Sequence, residues 1–497
     1  MYHIRKTKTA SGAVAIQVVH YADRVLIVDA HVGSAHTDEG VKTLKTIAAA
    51  WIEKAAKQSS IFPASTDRRG LALVSQCAYL GIRYAFLYEI LHKLVARFGF
   101  SAYCSTLLQD LVIMRMVEPT SKRRSFELLE EYFGIHHRRQ AFYESVPWWI
   151  ALKDRAERSA LAVAAAEFKF DFSLVFYDVT TLYFESFEPD DLRKPGFSKD
   201  NKFNQPQIVI GLVVSNEGFP VAYEIFPGNK FEGHTLIPVI ESFKRQHAIT
   251  TLTVVADAAM ISLDNIEALK QHGLHYIVGA RMGNLPQKLM HEIADGLQQR
   301  DGATLRVGTA HGMLVCDFSL HRYRKDKRDM DKQIKKAEGF IRDPAALKRT
   351  KFLKLGGNAA YQLNTELIEK HTRLLGIKGY YTNLGSDVSD RVIINQYHNL
   401  WRVEQAFRVA KNDLQMRPIF HFKQETIKVH VLICFMALAV SKYLEIKTAT
   451  SLQQIIASFK RVTDARLLNT LTKEEIVMRT KIPERVRTIL KKLELPY

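Results

Sequence analysis

Cysteine is scarce in this chain of 497 residues: only Cys77, Cys104, Cys316 and Cys434, widely separated and with no CxxC pair. That spacing excludes a disulfide framework and suits a reducing cytosol, where such residues are small and buried. No GxxxxGK[ST] loop, no HExxH helix and no GxGxxG after a strand occurs, so the usual signals for nucleotide hydrolysis, zinc hydrolysis and dinucleotide binding are missing. The histidines are scattered. The adjacent His136 and His137, in a basic turn, suit a solvated or phosphate-touching role better than a metal site. The longest apolar run, Val431 to Val440, is about half of what a membrane span needs. The opening MYHIRKTKTASGAVAIQVV lacks the sustained apolar stretch of a signal peptide, so a cytosolic protein with no membrane attachment is expected.

What the chain does have is hydrophobic mass and positive charge. Hydrophobic residues make up 47%, enough for real cores, and the length calls for two to four structural units. Lysine and arginine number 70 against 52 acidic residues, a net charge of +18. Such an excess points to a polyanionic partner, because neutralised phosphates release their condensed counterions. Charge of this kind selects a class of partner and leaves the activity open.

Hydropathy patterning divides the chain into six stretches. Residues 1–69 alternate as strands (AVAIQVVHY, DRVLIVDAHVG), followed by a helix around VKTLKTIAAAWIEKAAKQ and a linker, FPASTDRRG. Residues 70–165 read as helices throughout and form the candidate DNA-binding domain. One ends at Pro119 and another runs from TSKRR to Gly134. Residues 166–284 carry short β-branched runs (FSLVFYDV, QIVIGLVVS, FPVAYEIF, TLTVVAD, HYIVGAR) that predict a mixed sheet covered by helices. Residues 285–377 form an insertion with a strand pair and a charged stretch, with 13 basic and 5 acidic residues between Arg322 and Lys354. Residues 378–445 return to a strand, GYYTNL, and a long helix from about 392 to 413, and helices fill 446–497.

Acidic residues at strand ends are the best candidates for chemistry. Asp178 follows FSLVFY, and Asp257 follows TLTVVA before a helix. A carboxylate closing an apolar strand is costly unless solvated or bound. Helix capping explains Asp257 taken alone, but two such aspartates in one sheet are harder to dismiss. On the helix YHNLWRVEQAFRVAKND, Tyr397, Glu404 and Lys411 are spaced by seven, which puts them on one face beside an apolar stripe. A solvated Glu/Lys face is the ordinary alternative. Three converging carboxylates repel one another unless divalent cations neutralise them. Hard oxygen ligands suit Mg²⁺, and two ions roughly 3.5–4 Å apart would serve phosphodiester displacement.

At these residues the sequence resembles bacterial insertion-sequence transposases of the DDE class, in the group with a Tyr-Arg-Glu-Lys signature. The matching pieces are YDVTTLYFES, VVADAAMIS and YHNLWRVEQAFRVAKNDLQMRPIFH, and the resemblance covers roughly 170–440. It implies an α/β fold: an RNase H-like mixed sheet flanked by helices, with an N-terminal helical domain and an insertion domain before the helix that carries the catalytic Glu. The 147 residues from Asp257 to Glu404 leave room for that insertion. It implies a catalytic and metal-binding triad in which Asp178 is shared by two Mg²⁺ ions, with Asp257 on one and Glu404 on the other, and Mn²⁺ able to substitute. Tyr397 and Lys411 would contact phosphates or position DNA, with Arg417 and His421 as secondary contacts. The signature arginine is replaced by Leu400, leaving Arg402 and Arg408 as nearby cations, although Arg402 faces elsewhere on a helix.

Element ends need a separate reader, and Lys122, Arg123 and Arg124 near a helix start are the candidates, although a solvated basic face is at least as good an account of them. The leading expectation is a transposase acting on the terminal inverted repeats of double-stranded DNA and on target DNA. It would work in the bacterial cytosol at the nucleoid and form a homodimer in the DNA complex. The alternatives are a metal-dependent nuclease or resolvase on the same fold, and a non-catalytic DNA-binding protein.

Overall fold

The computed structural model describes residues 2–22, 24–56, 77–170, 173–185, 188–196, 205–247, 249, 251–260, 262–342, 350–356, 361–470 and 472–497. At the N-terminus β1 (Tyr2–Lys8), β2 (Val14–Ala22) and β3 (Val25–Ala35) form an antiparallel sheet in that order, and α1 (Asp38–Ala56) packs on it. Ile16, Val18 and Val32 meet Leu44 and Ala48 of α1 in a small core of their own. β1 is additional to the two expected strands, and the linker read at FPASTDRRG lies outside the described residues.

The stretch expected to be wholly helical opens on a strand, β4 (Cys77–Arg83), before α2 (Ala85–Arg97), α3 (Thr106–Val117), α4 (Lys122–Leu128), α5 (Arg139–Ile150) and α6 (Lys153–Phe168). Ser105 caps α3 by accepting from Leu108 N–H at 3.4 Å, and Ser121 caps α4 through Arg124 N–H at 3.3 Å. A π-helical turn, Leu129–Phe133, extends α4 to Gly134, whose φ of +72° ends it. α3 is buried on every side from Leu107 to Val117, which a free-standing DNA-reading helix would not be. His137 is neither solvated nor set for phosphate: its Nε2 lies 2.6 Å from the buried Asp110 carboxylate, which also accepts from Tyr88 at 2.6 Å.

The central sheet begins with β5 (Leu174–Tyr183), β6 (Gln207–Val214) and β7 (Pro220–Pro227), an antiparallel meander. α7 (Leu236–His247) leads to β8 (Thr253–Ala256), which pairs parallel to β5, and α8 (Leu263–Gln271) leads to β9 (His275–Gly279), parallel to β8. The order β7-β6-β5-β8-β9 is the RNase H-like arrangement, with the two aspartate strands adjacent at its centre. After α9 (Gln287–Gly296), the insertion's β10 (Thr304–Thr309) and β11 (Gly312–Phe318) extend this same sheet. They are followed by α10 (Leu320–Arg342), the pair β12 (Leu353–Leu355) and β13 (Tyr361–Leu363), α11 (Thr365–Arg373) and β14 (Ile377–Thr382). β14 pairs with both β9 and β11, giving eight strands in all.

The chain then forms α12 (Asp390–His398), α13 (Trp401–Arg408), α14 (Gln424–Thr448), α15 (Leu452–Phe459), the hairpin β15 (Asp464–Asn469) and β16 (Glu475–Arg479), and α16 (Glu484–Lys492). The C-terminal stretch is therefore not helical throughout, and β15 pairs with β4, joining it to the start of the N-terminal helices. α14 corrects the length argument made on the apolar run. It has 25 residues, and its most apolar 18-residue window has a mean hydropathy of 1.7, long and apolar enough to cross a membrane, but that window is 89% buried inside the fold. It is a core helix, packed on α3, α5, α6 and β7, so the N-terminal helices and the sheet share one hydrophobic core. Cys104, Cys316 and Cys434 are free and buried, as expected, whereas Cys77, also free, is only half-buried on β4.

Arg479 joins three elements in this region. Its guanidinium pairs bidentately with the buried Asp464 carboxylate, both contacts at 2.7 Å, and reaches Glu89 of α2 at 2.8 Å. Arg479→Ala strands the Asp464 charge, and a loss of about 2 kcal/mol in urea unfolding is expected. An unchanged midpoint would show that water replaces the guanidinium without cost.

Candidate active site

Strand register alone brings the two aspartates together. β5 and β8 run parallel with Tyr177 opposite Ala256, so the next residues along, Asp178 and Asp257, lie side by side on strands about 4.8 Å apart. The Tyr177 hydroxyl donates to Thr235 Oγ1 at 2.8 Å on one face of the sheet. Side chains alternate along a strand, so Asp178 points to the other face, where α13 packs on β5 and β6. Asp178 is half-buried and its Oδ1 lies 2.8 Å from Val179 N–H. Asp257 is exposed, and its Oδ1 accepts from Ala258 N–H at 2.6 Å; the helix that follows, α8, is capped instead by Ser262 through Asn265 N–H, so capping does not account for Asp257.

Glu404 comes from α13, whose Val403, Ala406 and Phe407 are buried, while the glutamate remains exposed. The long helix expected over 392–413 is not continuous. Asn399 N–H is shared between Asn395 and Gln396 carbonyls, and Leu400 and Val403 bond back three residues instead of four. The chain tightens there, because Asn favours helix ends over interiors. Beyond Arg408 the helix widens into a π-helical turn, Val409–Asp413, that contains Lys411. The seven-residue arithmetic that aligned Tyr397, Glu404 and Lys411 on one face assumed a uniform helix and does not hold across these two irregularities.

Tyr397 reports the convergence of the carboxylates. Burial, then the charges of Asp257 and Glu404, and more weakly Asp178, push its phenol well above the usual tyrosine value, with Arg322 opposing. Its side chain is buried at 7% exposure, and its hydroxyl lies over Gly279 of β9, where an added Cβ would stand 2.3 Å away. Tyr397 is thus not presented to DNA as expected. It holds α12 against the sheet. Leu400 is also in the core, at 7% exposure, so the signature position offers no cation.

Two cations that sequence reasoning missed come from the insertion and the strand that follows it. Lys378 of β14 sits 4.3 Å from the Tyr397 ring centroid. Burial and then Arg322 lower its ammonium from the ordinary lysine value, while Asp317, Asp257 and Glu404 oppose that shift. Arg322, near the start of α10, acts on both Tyr397 and Lys378. Neither position carries a local motif. Only the pairing of β14 with β9 brings Lys378 to the carboxylates.

The other expected contacts are dispersed. Arg408 is exposed one turn beyond Glu404 on α13, and Arg417 lies 5.5 Å from the Tyr183 ring centroid at the far end of β5. Arg124 turns outward to Glu127 at 3.1 Å and Glu131 at 3.2 Å, and Arg123 lies 3.5 Å from Glu127. Lys122 and His421 both approach Phe142: the imidazole stacks on that ring at 5.7 Å, and the lysine Nζ is 5.9 Å from its centroid.

Burial, Lys122 of α4 and Arg115 of α3 together lower His421 from an ordinary value near 6.5 to about 4, so it is neutral in the folded protein at pH 7. Its aromatic neighbours are Phe142 of α5 and His430 of α14, and His430 is also held neutral by burial. A folded-state value below the unfolded one means that stability is full above about pH 6.5 and falls as pH drops toward 4. Thermal melts between pH 7 and 4.5 should show this loss, and His421→Gln should reduce the slope. An identical slope in the variant would remove His421 from the account.

Among the described residues, no three acidic, histidine or cysteine side chains form a closed metal-holding cluster. The donor set nevertheless fits Mg²⁺: oxygen-only, partly exposed, and split as an adjacent aspartate pair plus a glutamate. That ion commonly binds through one or two carboxylates and completes its shell with water and substrate phosphate.

Residues 169–440, more than half of the chain, match the family described as the transposase DDE domain. The chain belongs to that family. It is a DNA transposase, and enzymes of this family generally use divalent metal ions. Among solved structures, a cryo-EM structure of the piggyBac transposase synaptic complex with hairpin DNA is similar at 11% identity and a TM-score of 0.35, covering 93% of this chain and 80% of that one. No curated protein matches the sequence.

Proposed function

We propose that Asp178, Asp257 and Glu404 form the catalytic centre, cutting DNA at the ends of an insertion sequence and joining the freed 3′-hydroxyl to target DNA. The observation that carries this reading is the register of β5 and β8, which sets the two aspartates side by side on the face that α13 covers. Asp178 would be the ligand common to two Mg²⁺ ions, with Asp257 and Glu404 completing one each and Mn²⁺ able to take their place. When bound, these cations activate the attacking oxygen and stabilise the leaving one.

The chain's own residues have supporting parts. Tyr397 fixes the height of α12 and, through the tight turn, the approach of Glu404. Lys378 and Arg322 set positive charge at the margin of the carboxylates, suited to a phosphate entering the site. Arg408, Lys411 and Arg417 are the candidate contacts for the strand leading to and from the cut. Strand transfer needs two ends together, which supports a homodimer in the DNA complex, acting in a reducing bacterial cytosol on chromosomal DNA.

The test uses the purified protein, Mg²⁺ and a labelled duplex carrying the gene's flanking inverted repeats. Nicking at the repeat ends with joined products in supercoiled target is expected. Nicking without joining would select the nuclease alternative. The same mixture on a sizing column should show two protein chains per complex, and a single chain would overturn the dimer.

A further inference from the structure

A cavity of about 270 Å³ lies where α3, α4 and α5 meet the segment following the Glu404 helix. Arg115, Lys122, Arg123, Tyr143, His421 and His430 are among the residues that line it. Arg115 is 5% exposed, and its one hydrogen bond among the described residues, to Leu414 O, is long at 3.5 Å. Lys122 has no hydrogen-bond acceptor among the described residues, and no carboxylate acts on Arg115, Lys122 or His421. Their charged or titratable neighbours are one another, His430 and Cys434. His430 turns its Nε2 to Met416 O at 3.0 Å and adds no negative charge.

A buried guanidinium cannot shed its proton, and leaving one without an anion in a low-dielectric pocket is expensive. Burial already depresses both cations, Arg115 and, far more, Lys122. The space left open beside them is large enough for a tetrahedral anion with part of what it is attached to. At the mouth, Tyr143 and Phe420 are 58% and 60% exposed, and Arg123 adds a third cation at the rim. Aromatic faces flanking a cationic hole match a nucleotide unit, with phosphate inside and sugar or base against the rings.

We propose that this cavity seats one backbone phosphate of the DNA, as an anchor separate from the three carboxylates. Arg115 and Lys122 supply the charge, His421 a neutral N–H, and Tyr143 and Phe420 the flanking surfaces. The anchor rests on the reading of DNA as substrate. It divides the basic cluster at 122–124: Lys122 grips, Arg123 guards the rim, and Arg124, tied to Glu127 and Glu131, takes no part.

The experiment measures duplex affinity against salt for the wild type and for Lys122→Met, Lys122→Arg and Arg124→Ala, with inorganic phosphate as a second probe in thermal melts. Lys122→Met should reduce the magnitude of the log–log salt slope by about 1 and weaken binding roughly 10-fold, Lys122→Arg should restore both, and Arg124→Ala should change neither. Phosphate should raise the wild-type melting temperature and not that of Lys122→Met. An unchanged slope in Lys122→Met overturns the anchor. A phosphate effect without a slope change also overturns it, in favour of a site for free phosphate or a nucleotide. Asp257→Asn keeps the full salt slope if the two sites are separate, so failure of the anchor and failure of the catalytic triad are read on different variants.

Discussion

Asp178→Ala, Asp257→Ala and Glu404→Ala should each lower strand cleavage by on the order of 10³-fold or more, while duplex affinity stays within a few-fold of wild type. The size follows from what the carboxylates do. Each would hold divalent charge at the atoms where negative charge develops, an effect worth several kcal/mol. Binding is spared because affinity for DNA comes from cations elsewhere, and removing a negative charge near the path of the strand opposes nothing. Glu404→Ala adds a control. The side chain is exposed on α13, so the melting temperature should change by no more than an ordinary surface substitution causes, about 0.5 kcal/mol. Gel-based cleavage and an equilibrium binding titration on the same preparations check both halves. Cleavage that survives all three substitutions would leave the carboxylates with a structural role only.

Gly279→Ala is expected to reduce cleavage about 10²-fold, the loss that a misplacement of roughly 1 Å produces. The added Cβ would stand 2.3 Å from Tyr397 Oη and 2.9 Å from its Cζ, and neither side can yield cheaply. The phenol is hemmed by the Tyr380 ring at 4.8 Å and by Lys378 over its face. The strain therefore passes to α12 and, through the tight turn at Asn399 and Leu400, to Glu404. Adding Tyr397→Phe removes the nearest atom and should recover part of the rate, because only the 2.9 Å and longer contacts then remain. A Gly279→Ala enzyme with wild-type turnover would show that the helix carrying Glu404 is not held through Tyr397.

The strands were the most legible part of the sequence. TLTVVAD and FSLVFYDV are apolar and β-branched, and both occupy the centre of the sheet, as β8 and β5; β8 stops just before Asp257 as expected, but β5 runs on to Tyr183, so Asp178 lies inside its strand and not at its end. The acidic residues could be found because a carboxylate within or just after an apolar strand is conspicuous. Three features stayed hidden for reasons of physics. The breaks on either side of Glu404 depend on packing and on which carbonyl each N–H selects, so a uniform 100° step misplaced Tyr397 and Lys411. Lys378 is a single lysine before GYYTNL, and only long-range pairing reveals its neighbours. Arg115 looks like one of two stray charges in an apolar helix, LLQDLVIMRMV, and its meaning appears only when α4 and the 415–421 segment close around it. His137 was misread for the converse reason: its partner Asp110 is 27 residues away in sequence.

If the three carboxylates work through divalent cations, exchanging one ligand atom must change which metal supports cleavage. Asp257→Cys replaces a hard oxygen with a soft sulfur at one ligand position, which disfavours Mg²⁺ more than Mn²⁺. With the duplex substrate at saturating metal, the variant should be silent in Mg²⁺ and regain measurable cleavage in Mn²⁺, while wild type cleaves in both. Cleavage by the variant at the same rate in either metal, or cleavage by wild type that persists in excess chelator, would contradict it.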